Sequence, residues 1–152
     1  MANLKIVKFG DETLRKVCRP VDEITPKIIR LLDDLIETMR TADGCGLAAP
    51  QVGVLRRIAV IEVEPGVVYE LINPKIIAYS GEQREQEGCL SNPGKWGITK
   101  RPMAVTVRAM DRYGKEYELN GKELLARAIC HECDHLDGKL YTDVEIKNGG
   151  NK

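Results

Sequence analysis

"AICHECDHLDG", residues 128–138, carries both histidines of the chain, with Glu132 directly after the first. On a helix each residue advances by about 100°, so His131 and His135 fall about 40° apart on one face. Glu132 lies about 100° from His131, beside that face rather than behind it. Two imidazoles one turn apart can grip a single ion while the neighbouring carboxylate stays free to handle a proton. A pair of hydrogen-bonded core histidines is the plain alternative, and the His-Glu-x-x-His spacing weighs against it. Two imidazoles do not close a metal site alone. The fold must therefore hold this helix where another segment can supply a further ligand.

Cys130 and Cys133 share the stretch and spell Cys-x-x-Cys. By the same angular count Cys133 points about 180° from the midpoint of the histidines and Cys130 about 120° away, so neither reaches an ion held there. A redox dithiol sits at a helix N-terminus after a strand, whereas these are mid-helix beside Ile129 and Leu136. They read as core packing.

For the missing ligand, Asp137, Asp143 and Glu145 are the acidic choices downstream. Asp137 lies round the far side of the helix, and the other two leave little room for a supporting element. Upstream, "EQEGCLSNPG" (85–94) sets Cys89 in a loop after a strand-rich region. A thiolate suits soft or borderline metals, and a Cys-His-His set leaves a fourth position open for water. Taken alone, Cys89 serves equally well as a plug for a hydrophobic gap. "GCGLAAPQ" (44–51) offers small residues past which a backbone or ligand can approach closely, then the amide of Gln51. By itself that segment reads as a turn between a helix and a strand.

Around these pieces the chain is ordinary. Its 152 residues suit one domain over 1–152, with 43% apolar and 30% charged side chains. Twenty-three basic residues balance 23 acidic ones and form no stripe, which argues against a nucleic-acid surface. No secretory signal and no membrane-length apolar run is visible, so a cytoplasmic location is expected. Five cysteines, an odd number, suit reduced thiols or ligands better than a disulfide framework.

Thr25-Pro26 predicts a helix start, and Ile28, Leu31, Leu32, Leu35, Ile36 and Met39 give an amphipathic helix of about four turns. Residues 56–63 and 67–74 read as strands joined by a proline-glycine turn. Residues 104–110 and 115–119 read as a hairpin through "DRYG". Asn120 with Glu123 matches a capping box opening the last helix, and Gly138 is a natural stop. The layout is α+β, with one helix before and one after a strand-rich body.

Together the three segments resemble the peptide deformylase family: Gly-x-Gly-x-Ala-Ala-x-Gln at Gly44–Gln51, Glu-Gly-Cys-x-Ser at Glu87–Ser91, and His-Glu-x-x-His at His131–His135. The likeness runs from "KFGDETLRK" to about Val144. It implies antiparallel sheets packed around a central helix that carries the metal motif. It implies removal of the N-formyl group from the initiator methionine of nascent chains, with release of formate. Cys89, His131 and His135 would bind the metal, with water as the fourth ligand. Glu132 would be general base and then general acid, while Gln51 and the Leu90 N–H would bind the oxyanion. Gly44, Cys45, Gly46 and Leu90 would line the substrate site.

The implied metal is Fe2+, replaceable by Zn2+, Ni2+ or Co2+; the implied partners are formyl-Met peptides and, transiently, the ribosome. Three positions depart from the family's common pattern: Asn92 stands where an apolar residue is usual, Cys130 for glutamine, and Cys133 for methionine or isoleucine. Trp96 in the loop 92–98 reads as a substrate contact, a lid or a packing residue. The short polar tail after Val144 makes docking through a C-terminal helix doubtful.

Overall fold

The computed structural model describes residues 2–146. Helix α1 (Pro26–Thr41) starts as the sequence predicts: the Thr25 hydroxyl accepts the Ile28 N–H at 3.3 Å and Pro26 occupies the first turn. Its apolar stripe buries Leu32, Leu35 and Met39 completely.

The stripe meets one face of a five-stranded antiparallel sheet. The strands are β1 (Gly46–Ala48), β2 (Ile58–Glu64), β3 (Val67–Ser80), β6 (Ala104–Met110) and β7 (Glu116–Lys122), in the order β1-β2-β3-β6-β7. Strand alternation sorts β2 between two layers: Ile58 and Val60 pack with α1, whereas Ala59 and Ile61 face the other way. Leu47 and Ala48 of β1, and Ile72 and Leu71 of β3, divide in the same manner. The far face is covered by helix α2 (Leu124–Leu136), which buries Ala126, Ile129 and Leu136 against it. A sheet buried on both faces explains why 58–61 is apolar without a break.

A separate hairpin, β4 (Gln83–Gly88) with β5 (Trp96–Arg101), stands beside this body. The sequence predicts a loop around Cys89 and over 92–98, and the strands extend into both stretches. The charged run in 82–87 hides its period-two pattern, yet β5 alternates strictly, with Thr99 and Arg101 buried and Trp96, Ile98 and Lys100 exposed. Strand β3 also runs past Asn73-Pro74 to Ser80. Asn73 adopts φ 52° at a register shift and its side chain bonds both Val21 backbone groups at 2.8 Å, so the proline sits in a bulge. The Asn120–Glu123 capping box does not form. Asn120 is still within β7, where its side chain accepts from Thr106 at 2.6 Å, and Glu123 precedes α2 at φ 54° without a side-chain cap. The "DRYG" hairpin is present, with Asp111 accepting from Tyr113 and Lys115.

Segments near the two ends tie across the body. Val7 N–H donates to the Gln51 carbonyl at 2.7 Å and Phe9 N–H to the Ser91 carbonyl at 2.8 Å. Arg15 grips Asp143 through two bonds of 2.6 and 3.1 Å. Ile146 N–H reaches Ile98 on β5 at 2.7 Å. The expectation for the polar tail falls largely on 147–152, outside the described residues. Among the described residues no helix is long and apolar enough to cross a membrane.

Gly138 ends α2 in a left-handed turn at φ 75°, where an added Cβ would lie 2.5 Å from the Arg15 carbonyl oxygen. Gly138→Ala should lower stability by at least about 1–2 kcal/mol, read as a lower urea midpoint with unchanged slope.

Candidate metal centre

The helix α2 carries His131, Glu132 and His135, all buried. Cys89 follows β4 and hangs over that helix from the hairpin. The ligand atoms of Cys89, His131 and His135 all lie within 4.8 Å of one another. His135 Nε2 stands 3.3 Å from the sulfur and 3.2 Å from His131 Nε2. One soft sulfur and two imidazole nitrogens converging on one point fit a transition-metal ion. Asp137 and Asp143 are engaged elsewhere, with Arg57 and Arg15. Cys130 and Cys133 are buried in the core between α2 and the sheet, as the angular count predicts.

The His131 imidazole is oriented from behind. His131 Nδ1 lies 2.5 Å from Glu87 Oε2. Glu87 also accepts from Thr99 Oγ1 at 2.6 Å and from Arg101 Nε and Nη2 at 3.1 and 2.8 Å. Arg101 reaches on to Asp134 at 2.7 Å. Burial alone would raise the Glu87 carboxyl, but the bonds from His131 and Arg101 outweigh it and hold the group at about 2. An ionised Glu87 can only accept, so His131 donates from Nδ1 and aims Nε2 at the cluster. Burial pushes His131 down too, yet Cys89 and Glu87 overcome it and hold its pKa well above the ordinary range. His135, buried beside that charge, is pushed well below.

Glu132 points into the same space and is 3% exposed; burial lifts its carboxyl to about 7. Its Oε1 has no hydrogen-bond partner among the described residues, and neither has His135 Nδ1. Strand β1 passes so close that a Cβ at Gly46 would strike the Glu132 carboxylate. Gln51 is 1% exposed; its Nε2 lies 3.4 Å from the Cys89 sulfur and 3.1 Å from Ser91 Oγ, while its Oε1 accepts from Ala48 N–H at 2.9 Å. Leu90 packs on Gly44, where an added Cβ would lie 2.6 Å from it.

A cleft of about 630 Å³ opens over these groups, walled by Gly44, Cys45 and Gly46 on one side and by Gly88, Cys89 and Leu90 on the other. His131 and Glu132 form its floor, and Trp96 stands 61% exposed at its rim. Every site residue singled out from the sequence thus lies in or directly beneath one cleft. Gln51 and His135 do not line it and join through hydrogen bonds.

The polypeptide deformylase family model matches residues 3–149. The chain belongs to this family. It is 58% identical to the peptide deformylase of Alkaliphilus metalliredigens over 145 residues, 95% of this chain and 98% of that one. It is 58% identical to the peptide deformylase of Agathobacter rectalis over 134 residues, 88% of this chain and 84% of that one. Among solved structures, a peptide deformylase from Legionella pneumophila superposes with a TM-score of 0.92 at 41% identity, over 95% of this chain and 87% of that one. A peptide deformylase from Synechococcus elongatus, in complex with actinonin, gives 0.92 at 39%, over 95% and 81%. The antiparallel α+β reading holds.

Sequence reading missed Arg101, Thr99 and Tyr141. The first two were legible only through the alternation of β5, and Tyr141 carries no local signal. Asn92, noted as a departure from the family pattern, donates to the Tyr141 hydroxyl at 2.9 Å.

Arg101→Met strips the buried Glu87 carboxylate of its cation and should cost about 3–5 kcal/mol in thermal or chemical unfolding. Because the folded Glu87 carboxyl is depressed from its ordinary 4.5 to about 2, its contribution is present above 4.5 and fades as pH falls toward 2. Glu87→Gln should therefore flatten the acid limb of the stability curve.

Proposed function

We propose that this chain is a metal-dependent peptide deformylase, hydrolysing the N-formyl group of formylmethionine at the start of nascent chains and releasing formate. The observation that carries the reading is the convergence of Cys89, His131 and His135 beside a buried Glu132, in a chain of this family. These three residues hold the ion, Fe2+ in this reading, with Zn2+, Ni2+ or Co2+ as competent replacements. A bound divalent ion supplies Lewis acidity and brings the pKa of a coordinated water toward neutrality.

The chain's own groups do the rest. Glu132, with its carboxyl lifted to about 7, takes a proton as water adds to the formyl carbon. It returns that proton to the departing nitrogen as the C–N bond breaks, leaving formate and a free amine. The Gln51 amide and the Leu90 N–H donate to the oxygen where negative charge develops; losing one such donor typically slows turnover by about 10²–10³. Among the described residues strand β1 pairs with β2 along one edge only, and its other edge faces the cleft. An extended substrate adds there past Gly44, Cys45 and Gly46, as a further strand. The apolar wall at Leu90, Leu124 and Ala128 receives the methionine side chain.

Zero net charge supports a peptide substrate rather than nucleic acid. Formylated chains arise in the bacterial cytoplasm, where this reading locates the protein, with any ribosome contact transient.

The test is formate release from a formyl-Met peptide under anaerobic conditions with metal-loaded protein. Wild type should be active and Glu132→Ala slower by at least about 10²-fold. An inactive, metal-loaded wild type would refute the proposal. Cys89→Ala should abolish metal retention; a peptidase taking its third ligand from an acidic residue would keep its metal.

Metal uptake should also depend on pH. His131 must give up a proton that Cys89 and Glu87 help it hold, so apparent affinity should fall as pH falls and uptake should release protons. Calorimetry in two buffers of different ionisation enthalpy reads that release directly.

A further inference from the structure

Tyr141 touches the metal centre from outside the cleft. It sits in the short turn Tyr141–Asp143 and is 3% exposed. Its ring lies over the His131 imidazole, with centroids 6.2 Å apart and planes 20° from parallel. Phe9 packs against it at 5.8 Å. Its hydroxyl accepts a hydrogen bond from the Asn92 side chain at 2.9 Å, and the Asn92 backbone N–H donates to the Cys89 carbonyl, also at 2.9 Å. A continuous path of contacts therefore runs from Cys89 through Asn92 and Tyr141 to His131.

Each step adds a constraint to those the site already supplies. The Glu87 bond fixes His131 at Nδ1, and the His135 ring meets the His131 ring edge-on with centroids 4.8 Å apart. The near-parallel Tyr141 ring adds a further contact to the imidazole. Cys89, for its part, opens a turn in which Ser91 is buried and held by the Phe9 N–H and Gln51 while Pro93, Gly94 and Lys95 are exposed, and Tyr141 anchors Asn92 at the boundary between the two. The anchor is itself rigid: Leu140 N–H donates to Asp143 Oδ2 at 3.0 Å, and Arg15 pairs with the same carboxylate. Packing alone calls for a ring at 141, not for a hydroxyl on an amide.

We propose that Asn92 and Tyr141 are a positioning pair that sets the distance and angle between the Cys89 sulfur and the His131 imidazole. Neither side chain is a ligand; both act through the ligands they hold. The inference rests on the metal-site reading above. It makes the grip on the ion depend on a bond formed between the hairpin turn and the segment after α2.

The experiment uses cobalt(II)-loaded full-length protein and compares wild type with Tyr141→Phe, Asn92→Leu and the double variant. Tyr141→Phe keeps the ring and its contacts and removes only the hydroxyl. Two quantities are read: the sulfur-to-cobalt absorption band and the rate of cobalt loss to excess EDTA. Each single variant should shift the band and lose cobalt about tenfold faster, the lower end of what an outer partner of a metal ligand contributes. The double variant should lose it no faster than either single, because all three lack the same bond. Variants with the wild-type band and rate overturn the pairing, whether or not they melt earlier. So does a double variant whose effect is the product of the singles. A wild type that takes up no cobalt overturns the metal-site reading and this inference with it.

Discussion

The carboxylate of Glu87 is a buried negative charge, and the arrangement of the cleft follows from where its partners must stand. Arg101 comes from the facing strand of its own hairpin, Thr99 from the same strand, and His131 from α2. Taking such a group out of water costs several kcal/mol unless each lone pair is met. Four donors meet them. Among the described residues the hairpin β4–β5 pairs with no strand of the main sheet, so this ion pair, extended by Arg101 to Asp134, helps dock the hairpin on the helix. Cys89, two residues beyond Glu87, is carried over the histidines by the same docking. One electrostatic requirement thereby orients His131 and brings Cys89 to it.

The layers that hold α2 were largely legible in the sequence. Periodicity gave α1, and β-rich runs gave the cores of β2, β3, β6 and β7, because apolar burial on two faces writes itself into consecutive side chains. What stayed hidden was written in other terms. The strand β4, "QREQEG", is polar on both faces because its inward residues Gln83 and Glu87 make hydrogen bonds rather than apolar contacts. The Asn120–Glu123 pattern fits a cap, but Asn120 already spends its side chain across the strand on Thr106. A local signature lost to a neighbour that only the tertiary pairing supplies. For the site, the three segments were readable as a set, while Arg101 and Tyr141 act across sequence separations that no local pattern encodes.

The three departures from the family pattern fare differently. Cys130 and Cys133 are buried and their thiols are pushed upward by burial, Cys130 to about 11, so little reactive thiolate forms there near neutral pH. They behave as small apolar side chains. Asn92 has a partner, and that partner lies against a histidine of the centre.

The bonds that join Arg15 to Asp143 and Phe9 to Ser91, and the packing of Tyr141 on His131, have a consequence for how the molecule comes into being. Arg15 and Asp143 are separated by 128 positions. Contacts of such high sequence separation form late and slow the search for the native state, since a long loop must close before it is rewarded. During vectorial synthesis the helix α2 can be complete while the turn that steadies His131 is still inside the ribosome. A protein proposed to act on the first residue of emerging chains therefore completes its own centre only after the turn Tyr141–Asp143 has emerged and met Arg15.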